Sequence, residues 1–179
     1  IPGAKQILLA FFAYIAVETS TGLWIASYLN LSRNFSAIDA AKWASLFYIG
    51  ITVGRAINGF LTFIFRDKHL IRGGAFLIIL GTVLLILAPH PYILLAGILL
   101  LGLGCAPVYP SIIHQTPDIF GQDKVYAMVG LQMAAAYTGT LIMPALFGIL
   151  ARSFHTGLLP YYLLLSAILF VLAYELTLR

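Results

Sequence analysis

The chain has 179 residues, of which 61% are hydrophobic and 9% charged, and its formal net charge is +4. Soluble domains carry about 25% charged residues, so this composition excludes a water-coated globule and makes the lipid bilayer the expected surroundings. The cations lie mainly between apolar runs with no dense basic stripe, so no nucleic acid is expected as a partner. Cys105 is the one cysteine, which excludes an internal disulfide, and neither a metal nor any other cofactor is expected.

Apolar stretches occur at about 6–29, 41–65, 71–89, 91–114, 124–151 and 158–178. Each is close to the ~20 residues that span a bilayer, and no strand or heptad period competes. The fold class read from this is an all-α membrane protein, with a single six-helix bundle over 1–179. The breaks carry turn chemistry: Asn30-Leu31-Ser32-Arg33-Asn34, Arg66-Asp67-Lys68-His69, Pro89-His90-Pro91, Thr116-Pro117-Asp118 and Arg152-Ser153-Phe154-His155. The chain starts at Ile1 rather than at a methionine, and its first apolar run is too long for a signal-peptide core. It therefore reads as a fragment or processed product that begins with a spanning helix.

The first helix carries Tyr14, Glu18 and Thr21 at i, i+4 and i+7, which makes one face polar. The second carries Tyr48, Thr52, Arg55, Asn58, Gly59 and Thr62, mostly on one stripe. As antiparallel helices rising about 1.5 Å per residue, they put Glu18 about 16 Å and Arg55 about 15 Å from the same side of the membrane. Both charges then fall near the middle of a hydrocarbon core roughly 30 Å thick. An intramembrane charge is costly, so such residues pair, line a wet cavity or carry function. A buried ion pair that only fixes packing is the competing reading, and for Tyr14 and Asn58 so is polar glue between helices.

The fourth helix contains Pro107 and Pro110 flanking Tyr109, and broken helices in transporters tend to lie at substrate sites or gates. A tolerated kink is the alternative. His114 reads as interfacial. In the fifth helix Gln132 is the best polar cavity candidate, followed by Tyr137, Thr138, Gly139, Thr140 and the bend at Pro144. Glu175, near the end of the last helix, reads as solvated.

Lys5, Arg66, Lys68, Arg72, Lys124 and Arg179 fall on one side of the membrane, and Arg33, Lys42 and Arg152 on the other. The more basic side is expected in the cytoplasm, with both termini there and the protein in the cell (inner or plasma) membrane. Trp24 and Trp43 flank the first outer loop, where an aromatic belt is expected. Gly50, Gly54 and Gly59 in the second helix echo Gly130, Ala134 and Gly139 in the fifth. Two three-helix repeats would explain that echo, and so would chance among glycine-rich spans.

Gly54-Arg55-Ala-Ile-Asn-Gly59 resembles the G-R-x-x-x-G segment of the major facilitator superfamily. The run Gly102-Leu-Gly-Cys-Ala-Pro-Val-Tyr-Pro-Ser-Ile-Ile113, followed by Thr116-Pro117 and Phe120-Gly121, resembles the tenth helix of that superfamily's fucose-permease-like branch. Tyr14-Ile-Ala-Val-Glu18-Thr-Ser-Thr-Gly22 is similar to that branch's seventh helix. The resemblance covers nearly the whole chain and implies the carboxy-terminal six-helix half of a twelve-helix transporter. One departure stands out. In the cytoplasmic loop pattern G-x-x-x-D-R-x-G-R-R, Phe63 replaces the aspartate, and only Arg66, Lys68, Arg72 and Gly73 remain.

The resemblance implies secondary transport by alternating access of a small polar solute, with a sugar and proton coupling as the finer expectation. Glu18, Arg55, Tyr14, Thr21, Asn58, Tyr109, Gln132 and Tyr137 are the candidates for the substrate or proton pathway. A missing amino-terminal half, or a second copy of the fragment, is the expected partner. A six-helix channel or a non-transporting receptor or assembly subunit remains open. No TVGYG-like filter is present, and no H-E-x-x-H or G-x-S-x-G motif that would point to an enzyme.

Overall fold

The computed structural model describes residues 3–178. Ile1 and Arg179, used above for the chain start and the charge bias, lie outside the described residues. The helices are α1 (Ala4–Arg33), α2 (Ala37–Leu61), α3 (Asp67–Leu87), α4 (Pro91–Phe120), α5 (Val125–Ser153) and α6 (Leu159–Thr177), with a 3-10 turn at Thr156–Leu158 before α6. Six segments among the described residues are long and apolar enough to cross a membrane. At 30 residues each, α1 and α4 run about 45 Å, longer than the hydrocarbon core, so they tilt or project beyond it.

Two of the expected breaks are helical. The segment Asn30-Leu31-Ser32-Arg33 continues α1, which stops only where Asn34 turns left-handed at φ 58°. The Phe35 amide then returns to the Leu29 carbonyl at 3.1 Å, and the Asn30 side-chain amide donates to the Phe35 carbonyl at 2.8 Å. Asn30 therefore closes the helix end from within the last turn. The Thr116-Pro117-Asp118 segment likewise lies inside α4. A proline leaves one carbonyl without its amide partner, which membrane helices tolerate when other groups compensate. The carbonyl freed by Pro117 is that of Ile113, and the helix nevertheless runs on to its stop at Gly121, at φ 84°. In the other direction, α2 ends at Leu61 and gives way to a turn over 62–65, and α3 starts at Asp67, whose carboxylate suits a helix N-terminus.

The packing has an internal symmetry. α4 carries α2 and α3, while α1 carries α5 and α6. α3 meets α6, α1 meets α4, α1 meets α2 and α4 meets α5, with a slight contact of α5 with α6. Exchanging α1 with α4, α2 with α5 and α3 with α6 carries α2–α4 onto α1–α5, α3–α4 onto α1–α6 and α1–α2 onto α4–α5, and leaves α1–α4 and α3–α6 in place; only the slight α5–α6 contact falls outside the relation. The three-helix halves of the chain run in opposite directions across the membrane, so the relation is an inverted repeat.

The glycine echo does not follow that symmetry. A Cβ on Gly50 would stand 2.6 Å from the Leu99 carbonyl oxygen of α4, whereas Gly130 has open space around it. Gly139 packs on Phe12 and Ile15 of α1, whereas Gly59 is open. Gly50 and Gly139, each near the middle of its helix, do the equivalent packing, so the repeat lies in topology rather than in the aligned glycines.

Close approach to α4 is set by facing glycines. Gly50 meets Gly102, Gly74 meets Gly104, and Gly81 meets Gly97. In lipid, helices gain nothing from hydrophobic burial against each other, so close backbone contact and dispersion hold them. A Cβ at Gly104 would lie 2.7 Å from both the Gly74 oxygen and the Ile78 nitrogen, which are backbone atoms. Gly104→Val is expected to destabilise the protein by about 1–3 kcal/mol or more through overpacking, read as a lower thermal midpoint in detergent. Gly130→Ala, with nothing within 4 Å, should leave that midpoint unchanged.

Candidate functional site

Three elements converge on Glu18. α1 supplies Glu18 and, one turn earlier, Tyr14; α2 supplies Arg55; α4 supplies the Cys105 carbonyl. Arg55 Nη2 stands 3.9 Å from Glu18 Oε1, the outer limit of an ion pair. The Tyr14 hydroxyl donates to Glu18 Oε2 and also lies 3.0 Å from the Cys105 carbonyl oxygen. A phenolic hydroxyl has one proton to give, so it serves the carboxylate or the carbonyl, not both at once. The Tyr14 ring is fully buried and fixed by Phe11, stacked at 6.2 Å, and by Phe170 at 5.8 Å.

The ion pair sits at the edge of the bundle rather than deep within it. The side chains of Arg55 and Glu18 are 56% and 22% exposed. The guanidinium projects into open space at that edge. That space is a cavity of about 470 Å³ between α2 and α4, lined by Arg55, Asn58, Gly59, Thr62, Tyr109 and Pro110. Asn58 is buried, and its Oδ1 has no hydrogen-bond partner among the described residues. Tyr109 is held over the cavity by its ring contact with Phe11 at 5.0 Å and by donation to the Met133 sulfur of α5 at 3.0 Å.

Five of the eight candidate residues are thus brought together: Tyr14, Glu18, Arg55, Asn58 and Tyr109. Three are not. Thr21 is fully buried and donates back to the Val17 carbonyl at 2.7 Å, a local bond that leaves it facing its own helix. Gln132 is fully buried between α5 and α4, where its Oε1 accepts from Thr116 at 3.1 Å and its Nε2 is unpartnered. Tyr137 is 72% exposed on α5, one turn beyond the Met133 that meets Tyr109, and it is not among the residues lining the Arg55 cavity. The Cys105 carbonyl is the participant that composition concealed. Its only sequence signal is its place two residues before the first proline of the Pro107–Pro110 segment.

Other polar residues also differ from expectation. Glu175 is not merely solvated: Arg72 donates to both its carboxylate oxygens at 2.7 Å, tying α3 to α6. His114 bonds Asp67 at 2.7 Å, tying α4 to α3, and Tyr174 donates to Gln115 at 2.8 Å. Of the degenerate loop, Asp67 and Arg72 are thus engaged within the bundle, and Phe63 is exposed. Trp24 does not simply sit in an interfacial belt, because its indole donates to the Pro144 carbonyl of α5 at 3.0 Å. Trp43 carries Lys42 over its ring at 5.0 Å.

Comparison with known proteins fits this architecture. The chain is 24% identical over 178 residues to the Saccharomyces cerevisiae protein called Bypass of stop codon protein 6, covering 94% of this chain and 36% of that one. Its fold matches a POT family transporter solved with a thioalcohol-conjugated peptide at a TM-score of 0.79 and 16% identity, over 98% of this chain and 37% of that chain. It matches the E. coli fucose:proton symporter at a TM-score of 0.74 and 18% identity, over 99% of this chain and 42% of that chain. The chain therefore spans well under half the length of these relatives, and the fucose-permease-like branch suggested by the tenth-helix run has its counterpart among the matching folds. The model of the Major Facilitator Superfamily matches residues 7–178. The chain is an integral membrane protein that belongs to this superfamily, with the fold of one six-helix half.

Proposed function

We propose that this chain works as half of a secondary active transporter that moves a small polar solute, with a sugar as the favoured class, by alternating access coupled to protons. The observation that carries the reading is the placement of Glu18, hydrogen-bonded by Tyr14 and within 3.9 Å of Arg55, beside the cavity that Arg55 lines. Binding sites near the midplane of repeat-built transporters lie at the interface between repeats. The second half comes from a longer chain or from a second copy of this one, in keeping with the partial coverage of its relatives.

The chemistry follows from one shared proton. With Glu18 ionised, Tyr14 donates to it and Arg55 balances its charge. With Glu18 protonated, the carboxylic acid donates to the Tyr14 oxygen, and the Tyr14 proton turns to the Cys105 carbonyl, already 3.0 Å away. Protonation releases Arg55 from its counter-ion, leaving the guanidinium to the cavity and to solute hydroxyls. Tyr109 completes the polar contacts, and Asn58 lines the same wall with its Oδ1 buried. Thr21 and Gln132, both fully buried, then play no part in direct solute binding. A permanent brace between α1 and α2 is the second reading, favoured by the fixed Tyr14 ring, and the two differ in what neutralisation does.

Proton-gradient-driven uptake of a panel of sugars and small polyols by the full-length protein in liposomes is expected to be lost in Glu18→Gln/Arg55→Gln, while the variant still folds and inserts. Normal pH-dependent uptake by that variant would make the pair a brace and overturn the site. In the proposed orientation the basic loop 66–72 faces the cytoplasm, with both termini on that side. A cysteine at Lys68, introduced after Cys105→Ala, is therefore expected to resist impermeant reagents applied outside intact cells and to react once the membrane is opened. Labelling from outside would reverse the orientation.

A further inference from the structure

Between α2 and α3 the surface opens into a groove of about 540 Å³. Both helices pack on α4 and barely touch each other. Leu103 and Pro107 of α4 therefore form the floor, with Ile57 and Leu61 of α2 and Phe76 and Leu77 of α3 as walls. On α3 the lining runs from His69 to Leu77, about 12 Å of helix. Gly73 lies on this wall, and no atom comes within 4 Å of where its Cβ would be, so the groove stays open because a side chain is missing there.

One end of the groove closes on Phe65 and His69, in the turn that also carries Arg66 and Lys68. Among the described residues neither cation is in an ion pair. The nearby carboxylates do not neutralise them: Asp67 is bonded to His114, and Asp118 shares the neighbouring hollow with Arg66 and Lys68 without pairing to either. An apolar channel that ends at Phe65 and His69, beside a hollow lined by Arg66 and Lys68, is complementary to an amphiphile with an anionic head.

We propose that this groove holds an acyl chain of an anionic phospholipid whose phosphate is bound by Arg66 and Lys68. The groove lies on the α3 side of α2 and adjoins the Arg55 cavity at Asn58, which lines both, but its α3 wall and its cations take no part in the transport reading. A helix of a partner protein would use the apolar walls but has no need of the cations at the mouth.

The test compares binding of dioleoylphosphatidylglycerol and dioleoylphosphatidylcholine to the full-length protein in detergent by native mass spectrometry, with no solute or gradient present. Phosphatidylglycerol is expected to bind more tightly. Arg66→Gln/Lys68→Gln should weaken it about 25-fold, about fivefold for each cation, and bring it to the level of phosphatidylcholine. Gly73→Leu fills the groove without meeting a neighbour, so it should weaken lipid binding while leaving the lipid-free thermal midpoint unchanged. Equal binding of the two lipids, or unaltered phosphatidylglycerol binding in either variant, overturns the assignment. Displacement of the lipid by an equal concentration of soluble glycerol phosphate would instead reveal a free-phosphate site, and would overturn it too.

Discussion

A carboxylate and a guanidinium within a membrane span must find each other, a polar partner or water, because hydrocarbon solvates neither. The surroundings of Glu18 and Arg55 follow from this requirement. Glu18 has a phenol one turn below it and a cation on the next helix; Arg55 has an open cavity into which its remaining donors project. At 3.9 Å the pair stands at the outer limit of direct contact, so the two charges are not locked together by a short bidentate bond.

The backbone contacts around α4 supply the rigidity that the pair lacks. Gly102, Gly104 and Gly97 let α2 and α3 approach α4 closely enough for backbone to touch backbone. The same helix then bends its function around two prolines, presenting the Cys105 carbonyl to Tyr14 and the Tyr109 ring to the cavity. α1 is the counterpart of α4 under the inverted repeat and carries the charge. The two central helices of the bundle are thus the ones that meet at the candidate site, while α3 and α6 stay peripheral and are tied together by Arg72 and Glu175.

Much of this was legible in the sequence, for identifiable reasons. Spans of about 20 apolar residues, the shared depth of Glu18 and Arg55, and the spacing of Tyr14 from Glu18 are properties of single helices, and helical rise fixes them. What escaped depends on rotation of one helix against another. Thr21 shares the face of Glu18 by spacing, yet its hydroxyl is satisfied one turn back on its own helix. Gln132 is polar and central, but α5 turns it toward Thr116 rather than toward the cavity. Thr116-Pro117-Asp118 carries the chemistry of a turn, yet α4 runs through it to Gly121. The Cys105 carbonyl is a backbone atom, which no side-chain pattern can reveal.

The central claim is that Glu18 gives up and regains a proton while the chain alternates its access. Net uptake down a gradient requires that proton to leave on each turn, whereas exchange of labelled for unlabelled solute across equilibrated membranes does not. The most direct measurement is therefore net uptake and equilibrium exchange, side by side, for Glu18→Gln in the full-length protein. The account predicts that net proton-driven uptake is lost and exchange is retained. Loss of both to the same degree, or retention of both, would contradict it.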